Sequence, residues 1–163
     1  MLRHLKTHSN DDISGQVENI LALIDRTKVA TVESEELQSH WARYLCIIAS
    51  GLVENAVRTS YMEFVKKTSS AEVSKYVSAN FERMRNPSAV ELKNIAGQFN
   101  DNWKEELTKY LNEDGRGDAL SSLINQRNLI AHGRSSDITI RSLQEYFKKV
   151  QEIIVFVDDQ CLR

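Results

Sequence analysis

The scarcity of helix-breaking residues is the feature that most limits how this chain can fold. Its 163 residues contain one proline and six glycines. A β-sandwich or barrel needs many tight turns, and those turns are built largely from glycine and proline. The composition therefore favours an all-α protein in which amphipathic helices pack around one hydrophobic core.

Apolar residues recur at helical spacing along most of the chain and predict an antiparallel helical bundle. The first helix is expected to begin at residues 10–12, after a loose N-terminal segment at residues 1–10. Ser34 is the predicted N-cap of a second, long helix that runs to about Lys67. Gly51 in its interior would permit a bend or a close helix–helix approach.

Two capping boxes, beginning at Ser69 and Ser88, predict later helix starts. Residues 135–137 are expected to form a loop before the final helix. That helix should bury its apolar side chains, Leu143, Phe147, Val150, Ile153, Ile154 and Val157. Residues 11–163 are therefore expected to form a single domain that includes additional short helices.

The segment over residues 127–132, Arg-Asn-Leu-Ile-Ala-His, combines a permanent cation, an amide and an imidazole. Gly133 follows at the position of a C′ glycine, so His132 is expected in the last turn of a helix. Asp118 is the predicted N-cap of that helix. Asn128 and His132 are four residues apart and share one helical face. Histidine in such a place can give or take a proton near neutral pH.

Arg127 falls on the otherwise apolar register of the same helix, together with Leu120, Ile124 and Ala131. An unpaired buried charge is very costly, so the guanidinium must reach water, a carboxylate or a bound anion. The pattern also fits an arginine that snorkels past the core, beside a histidine that only closes the helix. From these residues alone both interpretations remain open.

In this motif and in the helices around it, the chain resembles the HEPN superfamily of small helical domains, and specifically the RiboL-PSP HEPN type. The likeness runs from Leu37 to the C-terminus and includes residues 44–58, 81–86 and 95–99 with Trp103. It implies an antiparallel helical bundle. Many HEPN domains are metal-independent endoribonucleases that act as homodimers, and others are inactive and serve as binding modules.

The resemblance implies that Arg127, Asn128 and His132 are catalytic. RNA cleavage by its own 2′-hydroxyl needs proton transfer at two oxygens and positive charge beside the phosphorus. Arg127 would bind the phosphate oxygens, and His132 would transfer the protons. Asn128 would orient the imidazole or a phosphate oxygen. One histidine cannot easily be both acid and base in a single step, so a two-fold dimer would combine two motifs. No metal or cofactor is expected.

Further candidates lie outside the motif. Glu54, with Asn55 as the weaker alternative, could reach from the second helix to support the motif. The competing interpretation is an ion pair between Glu54 and Arg58, four residues apart on a partly exposed face. Arg116 and Arg134 are candidates for substrate binding, although scattered cations are also common on ordinary solvated surfaces.

Charge and cysteine usage limit the other possibilities. The net charge of −2 gives no overall basic field of the kind that nucleic-acid binders often carry. Cys46 and Cys161 lie in apolar helical stretches and are expected to be buried thiols. His4 and His8 have the spacing of a two-histidine metal face but precede any clear helix. The chain lacks a transmembrane run and a signal-peptide core, so a cytoplasmic protein is expected.

Three functions follow from these residues and the resemblance. The first is a metal-independent endoribonuclease, as a toxin or phage-defence effector restrained by an antitoxin or another defence protein. The second is a catalytically inactive HEPN module that binds RNA, a nucleotide or a protein. The third is a structural helical dimer. The complete Arg-Asn-x-x-x-His motif favours the first.

Overall fold

Seven α-helices and no strands make up residues 11–163, which are the residues that the computed structural model describes. The predicted loose segment at residues 1–10, with His4 and His8, lies outside them. The all-α prediction is confirmed. The helices are α1 Asp11–Ala30, α2 Glu35–Thr68, α3 Ala71–Phe81, α4 Ala89–Phe99, α5 Asp101–Asn112, α6 Arg116–Ala131 and α7 Ile140–Leu162.

Helix α2 is the longest element and begins as the sequence predicts. Ser34 Oγ accepts a hydrogen bond from the Leu37 N–H at 3.2 Å, which satisfies one of the free amides of the first turn. The 34 residues of α2 extend for roughly 50 Å, which is longer than the roughly 30 Å diameter of a small domain. Helices α1, α6 and α7 all pack along it.

The starts of α4 and α3 test the two predicted capping boxes. The Ser88 box is confirmed, with both of its hydrogen bonds formed. The box predicted at Ser69 is wrong by one residue, because Ser70 is the N-cap that accepts from the Val73 N–H at 3.4 Å. Ser69 instead ends α2 and donates its hydroxyl to the Val65 carbonyl at 2.7 Å.

The core lies between α2 and α7, with α1 and α6 beside them. Both cysteines are buried free thiols, as predicted. The apolar residues predicted to line the core from the final helix are all buried: Leu143, Phe147, Val150, Ile153, Ile154 and Val157. Within the described helices, no segment combines the length and apolar character needed to cross a membrane.

An aromatic cluster of Tyr61, Phe64, Phe81, Phe99 and Trp103 joins the C-terminal half of α2 to α3, α4 and α5. Tyr61 stacks on Phe99 with ring centroids 4.9 Å apart, and Phe64 meets Trp103 edge-on at 5.0 Å. Such pairs add to the stability gained from burying the rings. The cluster therefore fixes one end of the bundle.

Candidate active site at the C-terminal end of helix α6

Helix α6, Arg116–Ala131, carries the motif at its C-terminal end. Its start differs from the prediction: Gly115, at φ 67°, is the N-cap, so Asp118 lies inside the first turn. Gly117 does not break the helix. A Cβ at this position would lie 3.1 Å from the Leu111 carbonyl oxygen, so the glycine allows α6 to begin against the end of α5.

The end of α6 forms a Schellman turn that leaves His132 just outside the helix body. His132 is the C-cap, and its N–H donates to the Asn128 carbonyl at 3.1 Å. Gly133 has a φ of 65°, and the Arg134 N–H donates to the Leu129 carbonyl at 2.8 Å. The predicted C′ glycine is therefore confirmed. The side chains of Asn128 and His132 are exposed.

Arg127 is half-buried, and its Nη1 donates to Asn128 Oδ1 at 3.3 Å. Positions 127 and 132 are about 140° apart around an ideal helix. Asn128 shares the face of His132, so this hydrogen bond draws the guanidinium toward the imidazole side. Among the described residues, no carboxylate forms an ion pair with Arg127. Most of its donors therefore remain available to an anion.

Helix α6 crosses the N-terminal half of α2 one turn before Arg127. There the buried Cys46 Sγ is 3.6 Å from the Leu123 carbonyl oxygen of α6. Burial raises the pKa of the Cys46 thiol to about 12, and the positive charge of Arg127 offsets only part of that rise. The thiol stays protonated at neutral pH and is no nucleophile. The charge of Arg127 is therefore close enough to the crossing of α6 and α2 to act on this thiol.

Gln126 fixes the loop that follows the motif. Its Oε1 accepts from the buried Ser136 hydroxyl at 2.7 Å, and its Nε2 donates to Asp137 Oδ1 at 2.5 Å. Within the loop, the Ile138 N–H donates to Ser136 Oγ at 3.4 Å. Sequence reasoning missed this residue. The only signal was a polar Ser-Ser-Asp run after Gly133, which does not reveal its partner on α6.

Glu54 serves the connection between α3 and α4. Its carboxylate accepts from Arg58 Nη2 at 2.9 Å and from the Asn86 N–H at 2.8 Å, and Arg85 Nη1 lies 3.8 Å away. The Glu54–Arg58 pair is the second of the two interpretations offered by the sequence. Within residues 12–163, neither Glu54 nor Asn55 forms a hydrogen bond or ion pair with the motif.

Arg116 lies at the opposite end of α6, whose 16 residues span roughly 24 Å. Its guanidinium donates to Glu152 at 2.8 Å and to Asp114 at 2.9 Å, and it lies 4.1 Å from the centre of the Tyr110 ring. Only 12% of the side chain is exposed. The structure therefore does not bring Arg116 to the motif, and the residue ties α5, α6 and α7 together.

Arg134, in contrast, is exposed and follows directly after the Schellman turn. It forms no ion pair with the part of the chain that the structure describes. The end of α6 thus has two arginines, Arg127 and Arg134, beside one imidazole. No group of three histidine, cysteine or acidic side chains suited to a metal ion occurs among the described residues.

The model of the RiboL-PSP-HEPN family matches residues 11–163. The chain belongs to the RiboL-PSP-HEPN family. This HEPN domain has no match among curated proteins or solved structures. The resemblance drawn from the motif and the helix order is therefore confirmed for the family and for the all-α fold.

Proposed function

We propose that this HEPN domain is a metal-independent endoribonuclease. One observation carries the proposal: Arg127, without a carboxylate partner in residues 12–163, bonds to Asn128 on the exposed face shared with His132. A guanidinium whose charge is not neutralised within the fold suits a phosphate, which it can bind through two parallel hydrogen bonds. The exposed imidazole of His132, at the end of the same helix, would carry out the proton transfer.

The reaction is attack of the ribose 2′-oxygen on the adjacent phosphorus. As the new P–O bond forms and the bond to the 5′-oxygen breaks, the 2′-hydroxyl proton passes to a base and an acid protonates the leaving oxygen. The products are a 2′,3′-cyclic phosphate and a 5′-hydroxyl. His132 takes part in proton transfer, which contributes a factor of about 10²–10⁴ in rate. Arg127 stabilises the phosphorane, an effect of about 3–4 kcal/mol for a preorganised donor.

The proposed active unit is a homodimer with a composite site. Acid and base act at different oxygens in the same step, and each copy provides one His132 at the end of α6. A two-fold axis beside this helix end would bring two imidazoles and two Arg127 guanidiniums to one cleft. That concentration of charge would also offset the net charge of −2 per chain.

The decisive experiment is incubation of the purified protein with total RNA and with a defined oligonucleotide, in EDTA. We expect cleavage to a 2′,3′-cyclic phosphate, and no cleavage where one 2′-deoxy sugar replaces the ribose at the cut site. Arg127→Ala and His132→Ala should abolish the reaction, whereas Arg83→Ala, at an exposed arginine beyond α3, should not. Binding without cleavage would instead indicate the inactive RNA-binding module.

The cellular role that we propose is a cytoplasmic toxin or phage-defence effector, restrained by an antitoxin or another defence protein. An endoribonuclease without a restraint degrades the RNA of its own host. Induced expression of the wild type should therefore arrest growth, and expression of His132→Ala at an equal level should not. Arrest by both proteins would separate the toxicity from the proposed chemistry.

A further inference from the structure

Helix α2 exposes an apolar face that no described helix covers. Leu37, Trp41, Tyr44 and Ile47 are 43%, 36%, 55% and 36% exposed, and their spacing continues to the exposed Gly51. We propose that this α2 face packs antiparallel against the same face of a second copy of the chain. The inference rests on the proposed function for its biological purpose, because it names the surface that would build the composite site.

Gly51 indicates that the missing neighbour is a helix that approaches closely. Glycine is unfavourable inside a helix, and a Cβ at position 51 would meet nothing within 4 Å. The packing of the chain itself therefore does not require a glycine here. With a two-fold axis beside residues 46 and 47, Trp41 of each copy faces Gly51 of the other. The glycine then leaves room for the indole.

The charged flank of the α2 face matches itself in this antiparallel arrangement. Glu36 and Arg58 lie at equal distances along the chain from Ile47, and so do His40 and Glu54. All four flank the same side of the α2 face, because residues four apart are neighbours on a helix. The same two-fold axis, beside residues 46 and 47, therefore brings Glu36 to within about one residue of Arg58, and His40 to within about one residue of Glu54, of the other copy.

The exposures at the two ends of this flank fit such contacts. The Glu36 side chain is 89% exposed and follows Glu35 in the first turn of α2. At the other end, Arg58 is 32% exposed and Arg85 is 66% exposed, with Glu54 between them. Two cations around one carboxylate leave a positive region, which suits the acidic start of the second α2.

The α2 face also lies at the level of α2 where α6 crosses it. Cys46, next to Ile47 in α2, contacts the Leu123 carbonyl of α6 one turn before Arg127, at the level through which the proposed axis passes. In an antiparallel pair related by this axis, equivalent flanks of the two helices lie on the same side of the dimer. Both copies of α6 then lie on one side of the interface, and their Arg127 residues flank the axis. A second copy is thus the occupant that also completes the site.

Sedimentation equilibrium and thermal melts test the proposal with two pairs of variants. Tyr44→Glu should raise the dimer dissociation constant at least a hundredfold, whereas Tyr76→Glu, at a tyrosine 73% exposed on α3, should leave it unchanged. Gly51→Leu should raise that constant at least tenfold while raising the melting temperature of the monomer. The proposal would be overturned if the wild type were monomeric at about 1 mM, or if both tyrosine variants weakened the dimer equally.

Cross-linking gives an independent readout. A short bismaleimide should link Ile47→Cys chains into dimers but should not link Val73→Cys chains. The native thiols of Cys46 and Cys161 are buried and should not react with the reagent. Failure of the interface and failure of the proposed function are distinguishable. A dimer linked through position 47 that leaves RNA intact retains the interface and refutes the nuclease. An RNA-cleaving protein that links through neither position refutes the interface alone.

Discussion

Gln126 Nε2 donates to Asp137 Oδ1 at 2.5 Å, and this bond ties the residue before Arg127 to the loop after His132. Gln126→Ala removes this bond and the one from Ser136. We expect the free energy of unfolding to fall by about 1–2 kcal/mol. Amide exchange over residues 133–139 should quicken more than exchange in α2.

The same variant tests whether the loop positions the site. In Gln126→Ala we expect kcat for RNA cleavage to fall about tenfold with a nearly unchanged KM, because the proton-transfer geometry depends on how the helix end is held. Gln126→Glu keeps the acceptor for Ser136 but places a carboxylate against Asp137, so it should not restore activity. Unchanged amide exchange in the loop would contradict the assignment.

Mixing active and inactive subunits tests the composite site. If each cleft needs His132 from both copies, activity follows the square of the wild-type fraction, because only dimers of two wild-type chains are competent. An equal mixture of wild type and His132→Ala, allowed to exchange subunits, should retain about a quarter of the activity. Retention of about half would indicate independent sites. An equal mixture with Arg83→Ala controls for dilution.

The arginines at the two ends of α6 should give opposite results. Arg116→Ala removes an ion pair with Glu152 and the contact with Tyr110, so the free energy of unfolding should fall by about 1–3 kcal/mol. Arg134→Ala should change stability by less than about 0.5 kcal/mol and raise the KM for RNA. Urea unfolding and steady-state cleavage measure these effects. If Arg116→Ala were as stable as the wild type but had a raised KM for RNA, the roles assigned to Arg116 and Arg134 would be reversed.

Gly133 is the residue whose backbone most constrains the helix end. Its φ of 65° is strained for any residue with a side chain. Gly133→Ala should lower the free energy of unfolding by about 1–2 kcal/mol. Gly15→Ala, inside α1 with open space around the added Cβ, should raise it by up to about 1 kcal/mol. Equal effects of the two substitutions, measured by urea unfolding, would argue against the Schellman turn.

Alkaline pH should weaken the fold through its two thiols. Burial raises the pKa of Cys46 and of Cys161 from 9.0 to about 12. Below pH 9 both states hold the thiol protons. Between pH 9 and 12 the unfolded chain loses them first, so the free energy of unfolding falls as pH rises.

Urea unfolding at pH 7, 9 and 10.5 measures this decline, and labelling with a thiol reagent at pH 8 provides the control. We expect the folded protein to react far more slowly than the urea-unfolded chain, because both sulfurs are buried. Equal labelling rates in the two states would contradict the assigned burial.

The sequence predicted best where local chemistry decides the structure. The predicted caps at Ser34, Ser88 and Gly133 were correct, because a cap or a positive-φ glycine acts within three or four residues. Asp118 and Ser69 were wrong as caps. Helix α6 begins before Asp118, at the N-cap Gly115, and the two adjacent serines 69 and 70 offer the same hydroxyl.

Contacts between distant segments were harder to predict. Glu54 binds the Asn86 N–H, and Arg116 binds Glu152 of α7, and no local pattern identifies these partners. The role of Gln126 could not be predicted for the same reason, because its partner Asp137 lies in the loop beyond the motif. The motif itself could be located from sequence because its three polar residues lie within one and a half turns of helix.

The separation of the aromatic cluster from the α2 face has a practical consequence for spectroscopy. Of the two tryptophans, Trp103 packs against Phe64 and Phe99, whereas Trp41 is partly exposed on the α2 face. The emission of Trp103 should therefore report unfolding, and that of Trp41 should shift to shorter wavelength when a second chain covers it. Each indole can be replaced by phenylalanine in turn, so two single-tryptophan variants can follow folding and association as separate signals.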